Sequence, residues 1–245
     1  MQIIYGINPV SEILRSEGGD VRKIVVAEGR RGEDVKRILE LASARGIAVE
    51  VRGRESLDRQ AGTAAHQGVL CLCGEFAYAS LEEIIANRHL AFPASLVLLL
   101  DGVEDPQNLG SLIRTAHCFG ANGVVIPRDR AAGITPAVIK ASAGAAGHIP
   151  VSRVVNLTQA IEFMKENGFW IYGTDASSDC DAGSVRFEGN VGLVMGSEGK
   201  GIRTLVRKHC DVLLSIPLFG RIDSLNVSVA AGILLHEIRR SARSR

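Results

Sequence analysis

The sequence predicts an α/β protein of two domains, a small one over residues 1–75 and a larger one over 94–245 with a mainly parallel sheet, joined by 76–93. Three observations carry this. Short β-branched runs alternate with helix-like periods along the chain, the pattern that lays helices over a parallel sheet. The alternation breaks between Phe76 and Pro93 and then restarts. At 245 residues the chain exceeds the usual size of one domain, and a 46% hydrophobic, 22% charged composition suits a protein that buries its own cores.

In the first part, the strand Lys23 to Glu28 precedes a helix over Asp34 to Arg45, where Val35, Ile38, Leu39 and Ala42 recur at helical spacing and Gly46 supplies the stop. The segments "IAVEV", "SLDRQAG" and the apolar strand "GVLCLCG" complete it. In the connection Ser80 is placed to cap a short helix, and Pro93 closes the stretch. The larger part reads as strand "SLVLLLD", a helix from about Asn108 to Phe119, strand "GVVIP", helix "PAVIKASAGAAG" and strand "HIPVSRV". There follow helix "LTQAIEFMKENG", strands "FWIYGTD" and "VGLVMG", helix "GIRTLVRKHC", strand "DVLLSIP" and a terminal helix from Leu225. Parallel sheets bind ligands beyond the carboxyl ends of their strands, so the chemistry belongs after Leu100, Met195 and Ile216.

Charge does not advertise a partner. The formal net charge is +1; residues 1–90 carry 12 Lys/Arg against 13 Asp/Glu, and residues 91–245 carry 16 against 14. Two basic clusters stand out: "GRR" at Gly29 to Arg31, and "RRSARSR" with Arg239, Arg240, Arg243 and Arg245, which suits a solvated helix end or an RNA contact. The five cysteines are scattered and form no zinc-like pairing with the six histidines, so they read as buried small hydrophobes and no metal is expected. No apolar run reaches the roughly 18 residues of a membrane span, and "MQIIYGINPVSEIL" lacks the pattern of a secretory signal, so a cytoplasmic protein is expected.

Three loops look chemical. In "DGVEDPQNLGSLIRTAHCFG", Asn108 lies near the helix start as a candidate cap, and Ser111 and Arg114 share a helix face with it. By itself this suits a cap and a surface cation as well as a site. In "VGLVMGSEGKGI" a strand runs into Gly196, Gly199 and Gly201, with Glu198 and Lys200 between them. The loop is neither a G-x-G-x-x-G turn nor a phosphate-binding P-loop, and its carboxylate opposes phosphate; a flexible turn or a ligand cradle remains. In "IPLFGRIDSLNVSVAAGILLHEIRR", Ser224 can cap the terminal helix, whose apolar face reads as Leu225, Val229, Gly232 and Ile233; a plain cap leaves Asn226 unexplained.

Taken in order, "DPQNLGSLIRTAHCFGA", "GLVMGSEGKGI" and "IPLFGRIDSLNVSVAAGILLHE" resemble the three motifs of the SpoU (TrmH) family of RNA ribose 2'-O-methyltransferases, of the SPOUT class. "YGINPVSEIL" and "HQGVLC" resemble the ribosomal-protein-like RNA-binding domain ahead of the catalytic domain in the branch that methylates guanosine of 23S ribosomal RNA. The resemblance implies a deep trefoil knot, which general topology rules would reject. It implies S-adenosylmethionine bound near Gly196, Gly201, Ile216, Leu218 and Leu225, and a catalytic role for Arg114 helped by Asn108, Glu198, Ser224 and Asn226. It also implies a homodimer joined through the terminal helix, with which the small residues Ala230 to Gly232 are compatible. Two relatives in function stay open: a transfer-RNA ribose methyltransferase, and a non-catalytic RNA-binding factor. A dinucleotide-dependent enzyme would need a G-x-G-x-x-G turn that the sequence lacks.

Overall fold

The computed structural model describes residues 2–15, 20–87, 92 and 94–243. Pro93 and Arg245 lie outside them, as does the side chain of Arg243. In chain order the elements are β1 (Gln2–Tyr5), α1 (Ile7–Arg15), β2 (Val21–Ala27), α2 (Glu33–Ala44), β3 (Ala48–Arg52), α3 (Arg54–Ala61), β4 (Val69–Cys73), α4 (Leu81–Ala86), β5 (Leu96–Asp101) and α5 (Pro106–Cys118). They continue with β6 (Gly123–Pro127), α6 (Pro136–Ala141), β7 (Val151–Val154), α7 (Leu157–Glu166), β8 (Phe169–Thr174), β9 (Asn190–Gly196), α8 (Thr204–His209), β10 (Val212–Leu214) and α9 (Val227–Arg243).

The chain divides into two compact units, Met1–Ala77 with Ile134–His148, and Tyr78–Gly133 with Ile149–Arg245. The first unit carries a sheet ordered β1-β4-β2-β3, antiparallel except for β2 against β3. Pattern reading passes over β1 and α1. Pro9 sits in the first turn of α1, where its missing N–H costs no helix bond, so the run is helical although it looks interrupted. The two N-terminal motifs meet here: the Ile7 N–H, orphaned at the start of α1, donates to Gln67 Oε1 at 2.9 Å. Buried His66 holds this turn in place. Its Nδ1 accepts the Gly68 N–H at 2.9 Å, so Nε2 carries the proton and donates to Asp58 Oδ1 at 2.7 Å.

The expected helix over 136–147 is short. It stops at Ala141 because Ala143 and Gly144 take positive φ of 51° and 90°. This segment belongs to the first unit, where Lys140 Nζ lies 4.6 Å from the Tyr5 ring centroid. The stretch 78–87, read as connection, is folded into the second unit: Ser80 and Glu83 form a capping box on α4, and Ala79 bridges to Ser152. Cys71 and Cys73 are buried side by side on β4, whereas Cys118 is exposed.

The second unit holds a six-stranded sheet, wholly parallel, ordered β10-β8-β9-β5-β6-β7. Near-continuous apolar strands fit this arrangement because both faces are covered. Val97, Leu99, Ile171 and Val194 point to the side of α4, α7 and α8, packing on Ile84, Ile161 and Val206. On the other side α5 and α9 pack together. From β5 the chain moves outward through β6 and β7, then returns to β8 on the far side, so β5 and β9 are neighbours whose following loops diverge. That divergence opens a crevice at their carboxyl ends.

Candidate functional site

Three chain segments converge on this crevice. The first is the start of α5. Its cap is Asp105, whose carboxylate accepts the N–H groups of Gln107 at 3.2 Å and Asn108 at 3.1 Å; Asn108, read as a candidate cap, lies in the first turn instead. Its side chain is thereby free to face another element. The second segment is the turn after β9. Ser197 and Gly201 bond to each other through both backbone groups, and the turn folds back so closely that a Cβ on Gly196 would overlap the Gly201 carbonyl and the Ile202 nitrogen. Gly199 and Gly201 take positive φ of 77° and 63°. The glycines are therefore demanded by the turn's own backbone, and the turn holds Glu198 at its tip.

The third segment is the start of α9, which begins at Val227, two residues later than the sequence suggests. Its cap is Asn226 in place of Ser224: Asn226 Oδ1 accepts the Ser228 N–H at 3.0 Å and the Ser228 hydroxyl at 2.5 Å. Because a backbone N–H can only donate, the oxygen of the amide is fixed on that side and the nitrogen points the other way. That nitrogen donates twice, to Asn108 Oδ1 at 2.9 Å and to Glu198 Oε1 at 2.6 Å. Glu198 Oε1 also accepts the Val227 N–H at 3.4 Å, a carboxylate on the positive end of α9. Asn226, unexplained as a plain cap, is the hub that ties all three loops together.

Two clefts flank the Glu198 turn and share Ser197, Glu198, Gly201 and Val227. The first, of about 240 Å³, lies beyond β8, β9 and β10. Gly196, Gly201, Ile216, Leu218 and Leu225, the five expected cofactor contacts, all line it, as does Ser224. Among the described residues its charged lining is Asp175, Glu198 and Asp223, all carboxylates. The Ser177 hydroxyl donating to Asp175 at 2.7 Å holds that carboxyl below its ordinary range, and the Ser177 N–H and the Arg207 guanidinium, 2.5 Å away, act in the same direction. An apolar wall beside carboxylates suits a cationic ligand with an aromatic body, and repels one carrying phosphates. The second cleft lies beyond β5 and contains Asn108.

Arg114 stands apart from the other site residues. It is exposed on α5, lines neither cleft, and among the described residues its side chain makes no hydrogen bond or ion pair. Sequence reasoning missed Asp101. Its side chain is fully buried at the end of β5, accepting Arg203 N–H at 2.7 Å and Arg203 Nε at 2.6 Å, which ties the Glu198 turn's exit to the central strand. The available signal was a single carboxylate ending an otherwise apolar strand. The C-terminal cluster also differs from expectation. Arg239 is buried and donates to the carbonyls of Phe119, Gly120 and Ala94, and Arg240 pairs with Glu237, so neither is a free cation.

Comparison with known proteins agrees with this geometry. Residues 95–236 match the SpoU rRNA Methylase family, and residues 3–79 match the domain described as RNA 2'-O ribose methyltransferase substrate binding. The chain is 42% identical over 237 residues, 97% of its length and 94% of the relative's, to the putative TrmH family tRNA/rRNA methyltransferase YacO of Bacillus subtilis. Among solved structures, the SpoU methyltransferase AviRb from Streptomyces viridochromogenes in complex with AdoMet is similar at a TM-score of 0.81 and 26% identity, covering 99% of this chain and 90% of that one. The AdoMet-bound rRNA methyltransferase from Sinorhizobium meliloti is similar at 0.80 and 26%, covering 99% and 88%. With the motif loops gathered around one crevice and both parts of the sequence matched, the chain belongs to the SpoU family of RNA 2'-O-ribose methyltransferases.

Proposed function

We propose that this enzyme methylates the ribose 2'-hydroxyl of a guanosine in 23S ribosomal RNA, in the cytoplasm, with S-adenosylmethionine held in the first cleft. The observation that carries the reading is the Asn108–Asn226–Glu198 bridge on the wall between two clefts. A donor site and an acceptor site separated by one turn can be aligned without a lid, and alignment is most of what a pre-activated methyl group requires. The residues present fit the cofactor: aliphatic Ile216, Leu218 and Leu225 for the adenine, carboxylates for the positive charge. When bound, it supplies an electrophilic methyl on a sulfonium. A ribosomal target is supported by the likeness of the whole chain to a ribosomal RNA methyltransferase.

The reaction would form a bond from the ribose 2'-oxygen to the methyl carbon, break the methyl–sulfur bond to leave S-adenosylhomocysteine, and release the hydroxyl proton to solvent. Arg114 does not take that proton, because a guanidinium offers only donors and no lone pair to accept it. Its role in this reading is to clamp the phosphate beside the target and to stabilise charge building on the 2'-oxygen. Asn108, whose amide nitrogen has no partner among the described residues, orients the ribose. Ser224, on the wall of the first cleft, completes the set of polar side chains assigned to the reaction in this reading.

The reading includes the family's knot and a homodimer. Val229 and Ile233 on α9, with Phe219 and Ile222 before it, leave an exposed apolar stripe, whereas Ala231 and Gly232 are turned toward α5. A second copy covering that stripe is the simplest way to bury it. Arg114, which lines neither cleft of its own chain, then serves the site of the partner copy.

Calorimetry and a methyl-transfer assay on ribosomal RNA test the proposal together. Arg114→Ala is expected to bind S-adenosylmethionine like the parent and to lose transfer. Absence of S-adenosylmethionine binding by the unaltered chain would overturn the enzyme reading. A sedimenting monomer at assay concentration would overturn the shared site.

A further inference from the structure

The second cleft, of about 420 Å³, holds charges that the proposed chemistry leaves unused. Of its carboxylates, Asp101 is bound to Arg203, Asp105 caps α5, and Glu198 accepts from Asn226 and Val227. Glu104 and Arg130 remain. Both line the cleft, both are exposed, and among the described residues neither side chain makes a hydrogen bond or ion pair. Arg130 also holds a backbone φ of 55°, a left-handed conformation that a long side chain rarely takes. The loop that carries it is stitched to the exit of β5, where the Ala132 N–H donates to the Val103 carbonyl at 2.9 Å. An arginine in a left-handed conformation is thus held in the same cleft as an unpaired glutamate.

The charge balance decides what the cleft can take. Once the Asp101–Arg203 pair is set aside, the lining carries Glu104, Asp105 and Glu198 against Arg130 and Lys200. An excess of one negative charge disfavours a phosphate there. A neutral, planar group with donors along one edge and acceptors along another fits both free side chains. We propose that the second cleft receives the splayed-out base of the target nucleotide, and that Glu104 and Arg130 read it as guanine. The Glu104 carboxylate accepts N1–H and the N2 amino group, and the Arg130 fork donates to O6 and N7, the pairings these side chains make most readily with that base. Adenine would set its N1 lone pair against the carboxylate. Lys200, a compact point charge, cannot present a two-pronged donor.

This inference rests on the methyltransferase reading, and the test separates the two. The full-length protein, with the first cleft saturated by S-adenosylhomocysteine, is titrated with guanosine, inosine and adenosine while binding is followed by ligand-observed NMR. Guanosine is expected to bind roughly tenfold more tightly than inosine, which lacks the N2 amino group, and more tightly still than adenosine. Glu104→Gln should bring guanosine and inosine to within about twofold of each other, and Arg130→Ala should weaken both purines that carry O6. Failure of S-adenosylhomocysteine to bind would remove the methyltransferase reading itself. Normal S-adenosylhomocysteine binding with equal guanosine and adenosine affinity, with no nucleoside binding, or with an unchanged preference in Glu104→Gln would overturn the base-reading role alone.

Discussion

Asn226 Nδ2 donates to Glu198 Oε1 at 2.6 Å, and that bond joins the turn after β9 to the residue that caps α9. Capping and bridging use opposite ends of one amide, so they can be separated by mutation. Asn226→Ser keeps an oxygen for the Ser228 N–H and is expected to melt like the parent, whereas Asn226→Ala should cost about 1 kcal/mol. Both remove the donors to Asn108 and Glu198, and both should lower methyl transfer by at least about tenfold, the kinetic equivalent of one lost hydrogen bond. Thermal melts and turnover measured on the pair check this; an active Asn226→Ser would reduce Asn226 to a cap.

Much of this was legible in the sequence, for identifiable reasons. Apolar runs such as Leu96 to Leu100 can only be strands covered on both faces, so the parallel sheet and its ligand-binding end follow directly. Loop composition marks Asn108, Glu198 and Asn226 as unusual but cannot pair them, because they are up to 118 residues apart and meet only through the strand order. Helix starts are shifted for a local reason: Asp105 and Asn226 compete as caps with neighbours of equal propensity, Asn108 and Ser224. The terminal helix is more apolar than its own chain can cover: Val229 and Ile233 of the expected apolar face are exposed, whereas Val227, Ala231, Leu234, Leu235 and Ile238 are the buried set. Periodicity reports an apolar stripe without saying what covers it.

Gly196 and Gly199 share one turn but meet different constraints, which predicts opposite behaviour. A methyl on Gly196 would press on backbone atoms of Gly201 and Ile202, which cannot rotate away, so Gly196→Ala should cost about 3 kcal/mol and abolish S-adenosylmethionine binding. Gly199 faces open space and is constrained only by its positive φ, so Gly199→Ala should cost about 1 kcal/mol and leave binding nearly intact. Denaturant unfolding with calorimetry distinguishes them. Equal loss in the two variants would mean that the turn is dominated by backbone conformation and not by its close approach.

Asp175 makes the first cleft acid-sensitive. Its carboxyl is held below the ordinary value in the fold, chiefly by the Ser177 hydroxyl, so its contribution is complete above the unfolded carboxylate range and is lost as pH falls through the lowered folded value. Stability should therefore decline on the acid side, and Asp175→Asn should flatten that limb while leaving the neutral-to-alkaline profile parallel to the parent's. Melting temperatures taken across that range measure it; an unchanged acid limb in the variant would assign the sensitivity to other carboxylates.

Arg239 is the clearest case of a surface-looking cation with an interior role. Burial pushes its pKa down to about 10, so its charge opposes folding at neutral pH, and the opposition eases only as pH rises through that value. At neutral pH the guanidinium is charged, donating to Phe119 O at 2.8 Å and Gly120 O at 2.6 Å while stacking 3.8 Å from the Phe92 ring centroid. Those carbonyls end α5 and the turn after it, so Arg239 holds the two helices that frame the crevice. Arg239→Ala leaves them without partners and should cost about 2–3 kcal/mol. Arg239→Lys keeps the charge but not the fork, so it should recover only part of that loss. Arg240, paired with Glu237 on the surface, is the control, and Arg240→Ala should cost less than about 0.5 kcal/mol. Thermal melts that rank Arg239→Ala below Arg239→Lys, and both below Arg240→Ala, fit a structural tether; coincident melts would return Arg239 to the solvated helix end that its sequence context suggests.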